Sequence, residues 1–203
     1  MAKSGRKQRE REMVRQEILD AAREMFVTDG YENVSIRKIA DRIDISTFLI
    51  YTHFQDKSEL LHAVCDSIFE GLSVSILDSW RTAADPLELL RNGLAAYIQF
   101  ALEDPHFYEA VFITPIEKYN GISKPDFDKT MGKRAFELLL ASVNDCMEAG
   151  LIRKGDVFLT GHTLWAAIHG TASLLITHKG FPGLDRKTLI PSVIDTMIEG
   201  LKN

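Results

Sequence analysis

The chain has 203 residues, 45% hydrophobic and 26% charged, which is a globular composition and excludes a disordered or low-complexity polymer. Its formal net charge of −5 is unevenly spread, with 11 basic and 11 acidic side chains in residues 1–62 against 13 and 18 in the remainder. Residues 1–15 hold six cations (Lys3, Arg6, Lys7, Arg9, Arg11 and Arg15) beside Glu10 and Glu12, so one end of an acidic protein is basic and suited to phosphate contact.

In chain order, almost every segment reads as helix. Residues 1–9 form a basic arm, for which a solvated tail is the other reading. Ile18, Ala21, Ala22, Met25 and Phe26 then stripe one face of a helix from about Arg9 to Thr28, stopped by Gly30. Ile36, Ile39 and Ile43 share the face of a short helix, with the small Ala40 where a second helix can cross closely. Asp44 stands at the turn, a residue that tolerates the left-handed conformation, and Ser46 is an N-cap for another short helix. Asp56 and Glu59 make a capping box for a long helix from about Lys57 to Trp80. Asp85-Pro86-Leu87-Glu88 opens a helix to about Leu102, and Asp104-Pro105 opens a short one through Phe112. Residues 114–125, with Pro115, Gly121 and Pro125, read as a loop. Helices follow from about Asp126 to near Gly150 and from about Asp156 to His178, then a loop at Phe181–Leu184 and a last helix to the end. No stretch alternates as a strand does. The fold class expected is all-α: a helix-turn-helix domain over residues 10–56 and a helical bundle over 57–203.

Two short helices with a tight turn at 35–54 place the second helix in a DNA major groove. Cys65 and Cys146 lack metal-ligand spacing, no cofactor motif is present, and no nucleophile stands with a base, so neither a metal site nor an enzyme is expected. His162, Trp165 and His169 share a helix face, but two histidines fall short of a metal set. The first residues are charged and lack the apolar run of a signal peptide, and the apolar stretch Leu164–Thr177 is too short to span a bilayer.

Residues 10–65 carry a joint pattern: Ile18-Leu19-Asp20-Ala21-Ala22 with Phe26 and Gly30, then Ser35-Ile36-Arg37-Lys38-Ile39-Ala40, Ile45-Ser46, Ile50-Tyr51, His53-Phe54 and Lys57-Ser58-Glu59-Leu60-Leu61. This block resembles the TetR family of bacterial transcriptional regulators. Asp44 stands where the family usually has Gly, Ile43 where Ala is common, Phe48 where Gly is usual and Leu49 where Thr is usual. Trp165-Ala166-Ala167-Ile168-His169-Gly170 is similar to a C-terminal subgroup named for its Trp, His and Gly.

The resemblance implies a cytoplasmic bacterial protein, associated with the nucleoid when bound to double-stranded DNA at a palindromic operator. It implies a homodimer through helices near 156–178 and 187–201, and a small, largely apolar effector of unknown identity, with no membrane partner. Thr47 and Phe48 are candidates for base contact, Phe48 against a thymine methyl, although packing against the first helix is open to it. Ser46 caps that helix at the groove or a phosphate. Ser35, Arg37, Tyr51, Thr52, His53 and Lys57 match phosphate contacts, with a purely structural histidine open for His53. Tyr97, Phe100, Phe107, Tyr108, Phe112, Phe136, Trp165 and His169 are candidates for lining an effector pocket, or plain core. A repressor released by its ligand is the first reading, and a DNA-binding regulator without a small-molecule switch (an activator, or one controlled by a protein) is the second.

Overall fold

A computed structural model of the chain describes residues 2–109, 112, 130–178 and 185–202, without the side chains of residues 2–4 and 107. Nine α-helices and one 3-10 turn are found among the described residues: α1 Ala2–Thr28, the turn Tyr31–Asn33, α2 Ile36–Arg42, α3 Thr47–Tyr51, α4 Lys57–Trp80, α5 Pro86–Glu103, α6 Pro105–Tyr108, α7 Met131–Glu148, α8 Val157–Thr177 and α9 Arg186–Leu201. The fold is all-α. The loop expected at 114–125 and the start expected at Asp126 lie outside the described residues, as does the loop at 181–184. The short helix after Asp104 is α-helical through Tyr108, and Glu109 and Phe112, the end the sequence suggests, have π-helical backbone.

The chain divides into two compact units. The first holds Met1–Ser67 with Ala110–Asp126, and the second holds Ile68–Glu109 with Phe127–Asn203. The division therefore falls inside α4, whereas the sequence suggests a boundary at its first residue. In the first unit α2 packs on α1 and α3 on α2. Its core is Ile18, Leu19, Ala22, Phe26, Tyr31, Val34, Ile39, Ala40, Ile50, Phe54, Leu60 and Val64, all buried. The basic segment expected as a separate arm is helical from Ala2 and continuous with α1. Residues 5–12 of α1 are all exposed, so no core contact fixes that end.

In the second unit α5 packs against α7, α8 and α9, with α7 on α8 and α8 on α9. Asp85 caps α5 by accepting the Glu88 N–H at 2.8 Å, and Glu88 reaches back to the Ala84 N–H at 2.7 Å. Thr130 caps α7 and Asp156 caps α8. Gly150 ends α7 with φ +70, a conformation that disfavours any side chain. Gly161 lets α8 approach α7 closely, since a Cβ there would lie 2.5 Å from Leu140 Cδ2. Helix α4 has the length and apolarity to cross a bilayer. Its buried apolar residues Leu60, Val64, Ile68, Leu72 and Ile76 recur every four positions with Glu70 exposed, the pattern of an amphipathic core helix.

Candidate nucleic-acid interface and aromatic cluster

Ser35 opens α2 by accepting the Lys38 N–H at 3.2 Å, which leaves its hydroxyl proton free to donate outward. Ile39 and Ala40 anchor α2 in the core. The chain then reverses through Asp44 at φ 54, the only described non-glycine residue with positive φ, and the Ile45 N–H returns to Ala40 O at 3.0 Å. Ser46 accepts the Leu49 N–H at 3.2 Å and so starts α3. Ile50 and Phe54 are buried, and the His53 and Phe54 N–H groups both donate to Ile50 O, at 2.9 and 3.0 Å. With its inner side pinned, α3 turns Thr47, Phe48, Tyr51 and Thr52 outward.

Phe48 is 76% exposed and Tyr51 55% exposed. Packing of Phe48 against the first helix is therefore excluded. Arg37 is also at the surface, paired loosely with Asp41 at 3.9 Å and with a side chain 85% exposed. Thr52 Oγ1 donates to Leu49 O at 2.7 Å, so its hydroxyl serves the helix end while its lone pairs stay open. His53 is half-buried. Desolvation, then the charges of Arg11 and Arg15, hold it below the ordinary imidazole value of 6.5, with Glu12 opposing. At neutral pH it is an uncharged donor.

Lys57 stands differently from the phosphate contact the sequence suggests. Its Nζ donates to Tyr31 O at 2.9 Å and Val34 O at 3.0 Å, and lies 3.9 Å from the Tyr31 ring centroid. Desolvation lowers its pKa, opposed by Glu32. The side chain ties the start of α4 to the turn between α1 and α2, with one donor left over.

Arg11 and Arg15 of α1 were not among the expected site residues, yet both reach the end of α3. Arg11 Nη2 donates to Thr52 O at 3.3 Å, and the Arg15 guanidinium stands 5.3 Å over the Phe54 ring. Their four-residue spacing, on the helix that follows a basic segment, is the signal in the sequence that marks them. Arg42 is bound to Glu24 at 2.7 Å and so fastens α2 to α1.

In the second unit, α5, α6 and α8 bring together Tyr97, Tyr108 and His169. The two phenol oxygens are 3.1 Å apart, and His169 Nδ1 is 2.5 Å from the Tyr108 oxygen and 3.2 Å from that of Tyr97. Tyr97 also shares a hydrogen bond with Trp165, whose ring lies 5.3 Å from His169. Nδ1 lies within reach of both phenols, and the direction of donation around the three groups follows the imidazole tautomer. Burial raises both phenols and lowers His169, so all three are neutral at pH 7. Phe136 sits edge-on to Trp165 at 6.3 Å and to His162 at 4.6 Å, which extends the cluster along α7 and α8. Four of the expected lining residues are thereby assembled with His169. Phe100 lies over Gly71 of α4, its ring 3.5 Å from where a Cβ would stand. The Phe107 side chain lies outside the described residues, and Phe112, half-buried, groups with the first unit. No group of three or more metal-binding side chains is found among the described residues.

Residues 18–64 match the family of bacterial regulatory proteins called tetR, and residues 90–197 match the tetracyclin repressor-like C-terminal domain. The chain is 34% identical over 98 residues to the transcriptional activator FasR of Mycolicibacterium smegmatis, covering 48% of this chain and 45% of that protein. It is also 34% identical over 95 residues to the transcriptional repressor AcnR of Corynebacterium efficiens, covering 47% and 44%. In both cases the match spans less than half of the curated relative. The fold is shared with the regulator FadR of Bacillus subtilis, solved in complex with stearoyl-CoA, at a TM-score of 0.72 and 18% identity over 91% of this chain and 98% of that one. A capped, outward-facing α3 in a helix-turn-helix unit, a helical second unit and these matches agree: the chain belongs to the TetR family of bacterial DNA-binding transcriptional regulators.

Proposed function

We propose that the protein is a cytoplasmic homodimer that sets α3 of each copy in the major groove of a palindromic operator and leaves DNA when it binds a small, largely apolar ligand. The observation that carries the DNA role is the outward set Thr47, Phe48 and Tyr51 on a helix whose opposite side is pinned by Ile50. Ser35, Arg37, Ser46, Thr52 and His53 surround that face and suit phosphate oxygens, with Arg11 added at the end of α3. Lys57 acts as a positioning residue behind them.

For the dimer, α8 has no Asp, Glu, Lys or Arg in 21 positions and exposes Leu159, Ala166 and Leu174 along one side, with open space where a Cβ at Gly170 would stand. An uncharged face with small residues suits close packing against a two-fold copy, with α9 beside it. Two recognition helices then stand roughly 34–36 Å apart. A ligand that binds better to a conformer with another spacing draws the protein off DNA.

For the ligand, the cluster of Tyr97, Tyr108, Phe136, Trp165 and His169 supplies apolar walls and a neutral polar end. The acyl-CoA complex of FadR makes long-chain acyl thioesters the first probe. Fluorescence anisotropy on selected DNA, with stearoyl-CoA added, tests this. Falling affinity supports a ligand-released repressor, and binding of the thioester with unchanged affinity refutes it. The mutual hydrogen bonding of Tyr97, Tyr108 and His169 favours one alternative, a regulator whose second unit needs no small molecule to be satisfied.

A further inference from the structure

The outward face of α3 is chemically narrow. Residues 46–54 read STFLIYTHF and contain no Arg, Lys, Asn, Gln, Asp or Glu. Ile50 and Phe54 are buried, Leu49 and His53 half-buried, and Thr47, Phe48, Tyr51 and Thr52 exposed. Paired hydrogen bonds to a purine edge need the forked ends of Arg, Asn or Gln. None stands on this helix; on α2 the guanidinium of Arg42 is bound to Glu24, and that of Arg37, proposed above for phosphate contact, lies 3.9 Å from Asp41.

Phe48, 76% exposed, stands in the first turn of α3, where a recognition helix meets bases. A phenyl ring offers no donor or acceptor to a base edge. The one apolar mark in the major groove is the 5-methyl group of a pyrimidine. We propose that Phe48 is a specificity-determining residue that reads this methyl group, so that the protein recognises its operator through thymine methyls more than through hydrogen bonds to purines. The proposal rests on α3 entering the major groove. It extends that reading from DNA in general to a stated chemical mark.

Two base comparisons isolate the methyl. Thymine and uracil differ only by it, as do 5-methylcytosine and cytosine. The full-length protein first selects its sites from a random duplex pool. Each thymine of the recovered site is then replaced by uracil, and separately by cytosine or 5-methylcytosine opposite guanine, and affinities are read by anisotropy. At the position facing Phe48, each methyl is expected to strengthen binding about fourfold per half-site, the equivalent of about 0.8 kcal/mol for one buried carbon. Changing both half-sites gives about fifteenfold. Phe48→Ala is expected to abolish both differences, while Phe48→Leu, still apolar, retains them. The exposed position leaves folding intact in either variant. The proposal is overturned if uracil is silent at every thymine, or if the methyl differences persist in Phe48→Ala. A protein that enriches no DNA sinks the DNA-binding reading itself. One that enriches a defined site without methyl dependence sinks this inference alone.

Discussion

Replacing Lys57 with alanine removes an ammonium that donates to two main-chain carbonyls, at 2.9 and 3.0 Å, and stands over the Tyr31 ring. A hydrogen bond from a charged donor contributes roughly 1.5–3 kcal/mol, and an exposed cation–ring contact about 0.5–1 kcal/mol. The site is only part-buried, so water takes over some of the lost bonding. We expect a net loss of about 2–3 kcal/mol. Urea unfolding of the wild type, Lys57→Ala and Lys57→Met measures it. The methionine variant keeps the apolar stem and loses the ammonium, so it is expected to fall between the other two. A direct phosphate contact behaves otherwise. It lowers affinity evenly across DNA sequences and reduces the salt slope by about 1, with little change in stability. An unchanged unfolding midpoint with a shallower salt slope would refute the positioning role.

Asp44→Gly is expected to raise stability by about 0.5–1 kcal/mol, because φ 54 costs an L-residue and costs glycine nothing; a lower midpoint in denaturant would contradict this. Ser46→Ala removes the acceptor for the Leu49 N–H and is expected to cost about 1 kcal/mol, read as a lower unfolding midpoint. The depressed pKa of His53 makes its folded form prefer the neutral ring, so its contribution to stability is full above about pH 6.5 and is lost as pH falls below that value. A nearby phosphate favours the protonated ring, so operator affinity is expected to rise as pH drops from 7.5 to 6, and His53→Gln to flatten that profile. Tyr108→Phe removes the 2.5 Å contact to His169 Nδ1 but leaves Tyr97 at 3.2 Å to replace it, and is expected to cost about 0.5–1.5 kcal/mol in a denaturation experiment.

Much of the first unit was legible because its signals are local. Ser46 and Asp56 are caps, Asp44 is a turn residue, and the Ile36–Ile39 face follows helical period. All appear where those rules put them. What escaped is long-range. Nothing in the order of residues says that Lys57 folds back onto Tyr31, or that Arg11 crosses 41 positions to Thr52. A cation reads equally well as a phosphate ligand or a carbonyl tie until its partner is placed. In the second unit, the aromatic content suggested a pocket, and the i, i+3, i+7 spacing of His162, Trp165 and His169 did give a shared face. The Tyr97–Tyr108–His169 junction needed three helices to meet. Charge was a coarse guide, since a net −5 conceals a cation set gathered at one end of α1.

In the proposed function two copies present α3 to one two-fold DNA site. Selection of bound duplexes from a random pool, followed by sequencing, tests it most directly. An inverted repeat whose half-site centres lie about 10 base pairs apart is expected. Its enrichment is predicted to collapse when Thr47, Phe48 and Tyr51 are replaced together by alanine. Recovery of an asymmetric site, or of the same repeat by the triple variant, would contradict it.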